Sequence, residues 1–248
     1  MNAPAMTPQQ QRLTDERQSA LSLYREIAVG AESWGHFAWF ELCTLLASNV
    51  PGALGLGLRA LLFPSLFAQW RGGAALGRGL VIRNPRKIRV GKKVLVDDGA
   101  VLDARGEGAQ LTLGDFVSIG RYSTLAAKGG TISLGAGVNV GSYCRLATQS
   151  KIEIGESTLI AAYAYIGPGN HQRGDGDVPL IAREMDIRGG VTIGAQAWIG
   201  TRATILDGVS IGEGAIVGAH SLVVEDVPAG AVVAGTPARI IKHAGAHG

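Results

Sequence analysis

The feature that most constrains this chain is a period of six. Ile187, Ile193, Ile199, Ile205, Ile211, Val217 and Val223 follow one another at six-residue steps without a slip. The same step recurs upstream in short blocks: Leu76 and Ile82, then Val90, Val96 and Leu102, then Leu113, Ile119 and Leu125, then Leu134, Val140 and Leu146, then Ile154, Ile160 and Ile166. All 21 positions are Leu, Ile or Val, although these residues number only 62 of 248. A six-residue unit is too short for a helical repeat and fits one short strand plus one turn. The residue after the aliphatic is Gly in 12 of the 21 units. A repeated Gly marks a repeated backbone demand, such as a tight corner or a positive φ.

The interruptions are as regular as the repeat. They follow Ile82, Leu102, Leu125, Leu146 and Ile166, adding 2, 5, 3, 2 and 15 residues, and three units lie between each. Three hexads therefore make one 18-residue coil, and every insertion leaves the same corner of a triangular prism. The coils stack about 4.8 Å apart, with the aliphatics as inward ladders. A sandwich of short strands has no reason to keep a period of six.

Residues 1–75 lack the repeat and form a separate N-terminal segment. Residues 8–28 read as a polar to amphipathic helix. From Phe37 to Trp70 the only charges are Glu41 and Arg59, and the longest uncharged run holds 17 residues, broken by Pro51 and three Gly. A membrane-spanning helix needs about 20 apolar residues. Two shorter helices split at Asn49-Val50-Pro51 fit better. Solenoid ends need caps, which is one reading of this segment. The other is an in-plane anchor. Seven of the chain's 14 aromatics lie between Trp34 and Trp70, and eight cations from Arg71 to Lys93 follow. Residues 34–93 are thus expected to touch an anionic membrane.

The net charge of +3 is too small to imply a nucleic-acid partner. Cys43 and Cys144 stand far apart, excluding a disulfide scaffold and a Cys-based zinc site. With no signal peptide in the polar first 20 residues, a cytoplasmic protein is expected, with contact at the inner face of the cytoplasmic membrane.

Chemistry must sit where the repeat is broken. The largest break follows Ile166 and opens with Gly167-Pro168-Gly169-Asn170-His171. Imidazole suits general-base work because its ordinary pKa lies near neutrality. Asp175, Asp177, Glu184, Asp186 or a backbone carbonyl could orient it. His220 reads as a structural variant of a corner Gly, and His36, His243 and His247 as incidental. Only His171 and His220 lie in the repeat, too few for a three-His zinc site, so no metal is expected.

Three motifs follow in order: Ala197-Trp198-Ile199-Gly200-Thr201, then Val217-Gly218-Ala219-His220-Ser221, then Ala234-Gly235-Thr236-Pro237-Ala238-Arg239. With the 16-residue step from Gly155 to His171, they resemble the hexapeptide-repeat acyltransferases over residues 76–242, leaving 243–248 as a tail. The resemblance implies a left-handed parallel β-helix, an all-β solenoid with a short N-terminal helical segment, and a homotrimer. It implies O-acetyl transfer from acetyl-CoA to a sugar hydroxyl, directly, with His171 as general base. It places Ser142, Asn170 and Trp198 at the acceptor. Trp198, Thr201, Gly218, Ala219, Gly235, Pro237, Arg239 and Lys242 would bind the coenzyme, although Val224 and Glu225 depart from the usual Thr and Lys. Galactoside and maltose acetyltransferases carry an acceptor-contacting Asn where this chain has Gly141-Ser142. The apolar N-terminus and basic cluster are similar to the branch that acetylates polysaccharide or lipid-linked glycan precursors, including the colanic acid type. The alternatives are a small soluble acceptor, such as an amino sugar, serine or an antibiotic, and a non-catalytic β-helix scaffold.

Overall fold

The computed structural model describes residues 19–30, 33–167, 169–172 and 179–243. From Gln69 the chain winds through three sheets of seven, nine and seven strands, visiting them in turn. Three strands complete one coil, giving a parallel β-solenoid of about seven turns. The first coil opens at Gln69–Trp70, which pairs with Arg89 and Val90, one hexad before Leu76.

The registers stack the aliphatics on one another. On the first sheet Leu113, Leu134, Ile154, Ile193 and Ile211 are successive partners. On the second they are Ile119, Val140, Ile160, Ile199 and Val217, and on the third Leu125, Leu146, Ile166, Ile205 and Val223. All are buried. Full burial of each such side chain stabilises by about 1.5–3 kcal/mol, so the ladders hold the prism together.

Except at Gly167, whose φ is 79°, the repeated Gly answers to close approach rather than to φ. A Cβ on Gly120 would lie 2.6 Å from the Ser142 nitrogen and 2.7 Å from the Gly141 carbonyl carbon in the next coil. Positive φ falls two residues later, at Phe116, Tyr122, Tyr143, Ser157, Tyr163, Gln196, Arg202 and His220.

One repeat position is corrected. Ile187 lies outside the prism and is 51% exposed. The first sheet resumes only at Val191–Ile193, paired with the strand Lys151–Ile154. The excursion therefore runs from Ile166 to Ile193, and the unbroken ladder run begins at Ile193. Gly189 and Gly190, with φ of 101° and 93°, turn the chain back to the prism.

The N-terminal end is closed by helices. After α1 (Ala20–Leu23) and a π-turn over Tyr24–Val29 come α2 (Trp34–Ala47) and α3 (Gly52–Leu62). Residues 8–18 of the expected first helix lie outside the described residues. The Ser33 hydroxyl caps α2 by accepting from the His36 amide, and Pro51 precedes α3. Phe40, Cys43 and Ala47 form the buried stripe of α2. Asn84, in the left-handed region, donates its Nδ2 to the Ile27 carbonyl and its amide to the Ala28 carbonyl.

Arg59 clamps the cap. It is 3% exposed and donates to the carbonyls of Leu76 at 2.6 Å, Ala47 at 2.9 Å and Val50 at 3.0 Å. Burial pulls its guanidinium below the usual value, and Asp98 opposes that. Arg59→Met strands three inward carbonyls and is expected to cost about 2–3 kcal/mol in urea unfolding. A loss below about 0.5 kcal/mol would mean the clamp contributes little.

Candidate functional site

The excursion is an arm built on a two-stranded hairpin. After Tyr165–Ile166 the chain leaves the third sheet, and Asn170–His171 pairs antiparallel with Met185–Asp186. The Gln172 amide donates to the Glu184 carbonyl and extends the pairing. His171 stands opposite Met185, so their side chains share one face of the arm.

The His171 Nδ1 lies 3.2 Å from the Arg183 carbonyl oxygen. A carbonyl only accepts, so Nδ1 is the donor, and in the neutral ring the lone pair is then on Nε2. The orienting group is therefore a carbonyl. Asp186 accepts from Arg188 Nε at 3.1 Å instead, and Asp175 and Asp177 lie outside the described residues. The arm's base is tied to the next coil, where Asp207 accepts from the Arg188 amide.

Between arm and third sheet lies a cleft of about 160 Å³, lined by Lys128, Arg145, Tyr165, Met185, Ile187 and Asp207 among others. His171 does not itself line this cleft; its cross-strand partner Met185 and the nearby Gly169 do. Arg145 and Tyr165 are cross-strand partners on the third sheet. The sequence reading missed both. Each immediately precedes a ladder aliphatic, the outward position of its hexad, and that signal could have placed them.

The residues expected at the coenzyme lie on another edge. Ser142, Thr201 and Ala219 each stand two positions after a second-sheet aliphatic, so they share one row along the corner between the second and third sheets. Beside it, Tyr122, Tyr143 and Tyr163 stack at centroid separations of 5.3 and 5.1 Å, and Arg202 covers Tyr163 at 5.2 Å. Trp198 projects from the second sheet, half-exposed, between Leu159 and Ile216.

The tail folds back onto this corner. Val232–Gly235 turns through a cis Thr236–Pro237 peptide into the antiparallel Ala238–Lys242. The Gly235 amide donates to the Ser221 hydroxyl, and the Thr236 hydroxyl donates to the His220 carbonyl. Gly218 packs its Cα side against Ala234 of that strand. Arg239 lies 3.8 Å from Glu225, and Lys242 is exposed at the strand's end. The structure thus gathers Ser142, Thr201, Gly218, Ala219, Gly235 and Pro237 along one corner. It holds Asn170 and His171 on the arm, across the whole third sheet. Among the described residues no group of three His, Cys, Asp or Glu side chains is placed to hold a metal ion.

Residues 190–224 match the family model described as Bacterial transferase hexapeptide (six repeats). The chain is 33% identical over 162 residues to a Mycobacterium tuberculosis protein named as an acetyltransferase, Rv3034c, covering 65% of this chain and 53% of that one. It is 34% identical over 167 residues to WbbJ of Escherichia coli K12, named as a lipopolysaccharide biosynthesis O-acetyl transferase, covering 65% of this chain and 74% of WbbJ. This chain belongs to the hexapeptide-repeat transferase family. It spans about half the length of the first of these relatives. A mutant of AntD, an N-acyltransferase from Bacillus cereus solved with dTDP and coenzyme A, shares the hexapeptide-repeat fold at a TM-score of 0.51 and 21% identity, over 80% of this chain and 91% of AntD.

Proposed function

We propose that this member of the family is an acetyl-CoA-dependent O-acetyltransferase. It acts on a sugar hydroxyl of a polysaccharide or lipid-linked glycan precursor, as a homotrimer. The observation that carries the reading is the approach of His171 Nδ1 to the Arg183 carbonyl at 3.2 Å, which directs the Nε2 side of the ring to the acceptor. Nε2 takes the proton of the acceptor hydroxyl as its oxygen attacks the thioester carbonyl. The tetrahedral intermediate collapses, the C–S bond breaks, and the imidazolium returns its proton to the departing thiolate. Thr201 and Ala219 would contact the pantetheine arm, Trp198 the acyl end, and Arg239 with Lys242 the coenzyme phosphates.

The division of the site supports the oligomer. Arm and proposed donor row occupy different corners of one prism, and a second chain bringing its own row beside this arm would complete the site. The test is complementation. His171→Ala and Ala219→Trp are each expected to abolish release of free coenzyme A in the presence of acceptor. Co-expressed, they form some sites with an intact arm from one chain and an intact row from another, and activity returns. No recovery in a confirmed mixed oligomer would place the whole site in one chain. A panel of soluble sugars and lipid-linked oligosaccharides names the acceptor. The WbbJ likeness favours a glycan. A glycan precursor carried on lipid would also give the cationic segment 34–93 an anionic surface to meet.

A further inference from the structure

The outer face of the helical cap is apolar without exception. On α2 the exposed positions are Trp34, Gly35, Ala38, Trp39, Leu42, Leu45 and Leu46, and on α3 they are Gly52, Ala53, Leu54, Leu56, Gly57, Ala60 and Leu61. Neither charge on these helices stands at an exposed position: Glu41, half-buried, accepts from the Tyr24 hydroxyl, and Arg59 is buried in its carbonyl clamp. Leu45 is 80% exposed and Leu61 75%. An apolar face this continuous is a surface for binding something.

The charge around it says what. From Leu42 to Val96 there are nine Lys and Arg and no Asp or Glu, in a chain whose net charge is only +3. The rest of the molecule is therefore net acidic. Two of these cations, Arg78 and Arg86, border the helices directly. Arg78 and Leu56 line one groove between α3 and the first coils, which Asp97 and Asp98 also line. Arg86 donates to the His36 ring at the start of α2, and the Arg25 guanidinium lies 4.5 Å over the Trp34 ring. Among the described residues no helix is long and apolar enough to cross a membrane.

We propose that this face lies in the plane of an anionic lipid bilayer, with the leucines and tryptophans below the headgroups and the cationic collar among them. A second copy of the chain is the poorer occupant, because pairing cap to cap would press two cationic collars together. An anionic surface neutralises the collar while covering the leucines. The proposal does not depend on the acetyl-transfer reading and supplies a place where a lipid-carried acceptor would be met.

The test is flotation of the full-length chain with vesicles of phosphatidylcholine and phosphatidylglycerol, in roughly a two-to-one ratio. Wild type is expected to float with these vesicles and not with phosphatidylcholine alone. Leu45→Gln with Leu61→Gln should lower the bound fraction at least about tenfold. Lys92→Gln with Lys93→Asn should lower it severalfold and flatten its salt dependence, Asn being suited to the left-handed φ of residue 93. All variants should keep wild-type coenzyme A release with a soluble acceptor, which separates a failure here from a failure of the proposed activity. Absence of binding by wild type, or binding indifferent to the leucine changes, overturns the proposal. So does a leucine-dependent doubling of mass in solution without vesicles, which would make the face an interface between copies.

Discussion

Replacing His171 with Ala is expected to lower kcat/KM for acetyl transfer roughly 10²–10⁴-fold, the contribution of a positioned general base. Acetyl-CoA affinity should stay near wild type, because the donor row lies on a different corner from the arm. A sugar hydroxyl is a poor nucleophile until its proton leaves in step with attack, so loss of the base falls on the chemical step. The geometry makes the expectation specific. With Nδ1 donating to the Arg183 carbonyl at 3.2 Å, Nε2 is the nitrogen left to accept a proton. Gln at this position can reach similar space but cannot cycle a proton, so His171→Gln should be nearly as impaired as His171→Ala. His36→Gln, on the cap, serves as the control and should be close to wild type. The readout is free thiol released from acetyl-CoA with acceptor present. Wild-type turnover by His171→Ala would refute the base assignment and move the search elsewhere on the prism.

The second large effect is on folding. A Cβ on Gly200 would stand 2.6 Å from the Ala219 nitrogen and 2.7 Å from the Val217 carbonyl oxygen. Both contacts are backbone atoms of the adjoining coil, so neither can swing aside as a side chain would. Gly200→Val must pry apart two coils whose amides and carbonyls are bonded, Gly200 donating to Val217 at 2.8 Å. A destabilisation of about 3 kcal/mol or more is expected, at the upper end of overpacking costs. Gly35→Ala should do the opposite. It lies within α2, nothing approaches its Cβ position within 4 Å, and its φ is helical, so Ala should stabilise by about 0.5–1 kcal/mol. Thermal or urea unfolding of the pair reads both signs. If Gly200→Val unfolds with wild type, close approach is not what the repeated Gly serves.

The hexad period was enough to establish the prism. A six-residue step with one inward aliphatic describes a local backbone path, and three such steps close a coil whatever the rest of the chain does. The corner from which insertions leave followed from their placement after every third unit, and the break at Asn49-Val50-Pro51 marked the two helices. Ile187 shows where the pattern misleads. It keeps the spacing, yet it lines the cleft, because the course of the excursion is decided by hairpin pairing between residues 14 or more apart. The proposed base His171 was legible as the residue at the largest break. Its orienting partner was not, since a carbonyl leaves no mark in residue type.

What the sequence by itself determined, then, is the repeating path of the chain and the places where that path is broken. Only the tertiary structure decided which atoms meet across the breaks. It put Lys128, Arg145 and Tyr165 around the cleft and the row of Ser142, Thr201 and Ala219 a full sheet away from the arm. It also chose the leucines of the cap that face outward. Helices α2 and α3 are apolar on nearly every side, so no periodicity distinguishes an inner from an outer face. That choice was made by docking. Phe40, Cys43 and Ala47 went into the core, and Leu42, Leu45 and Leu46 were left on the outside.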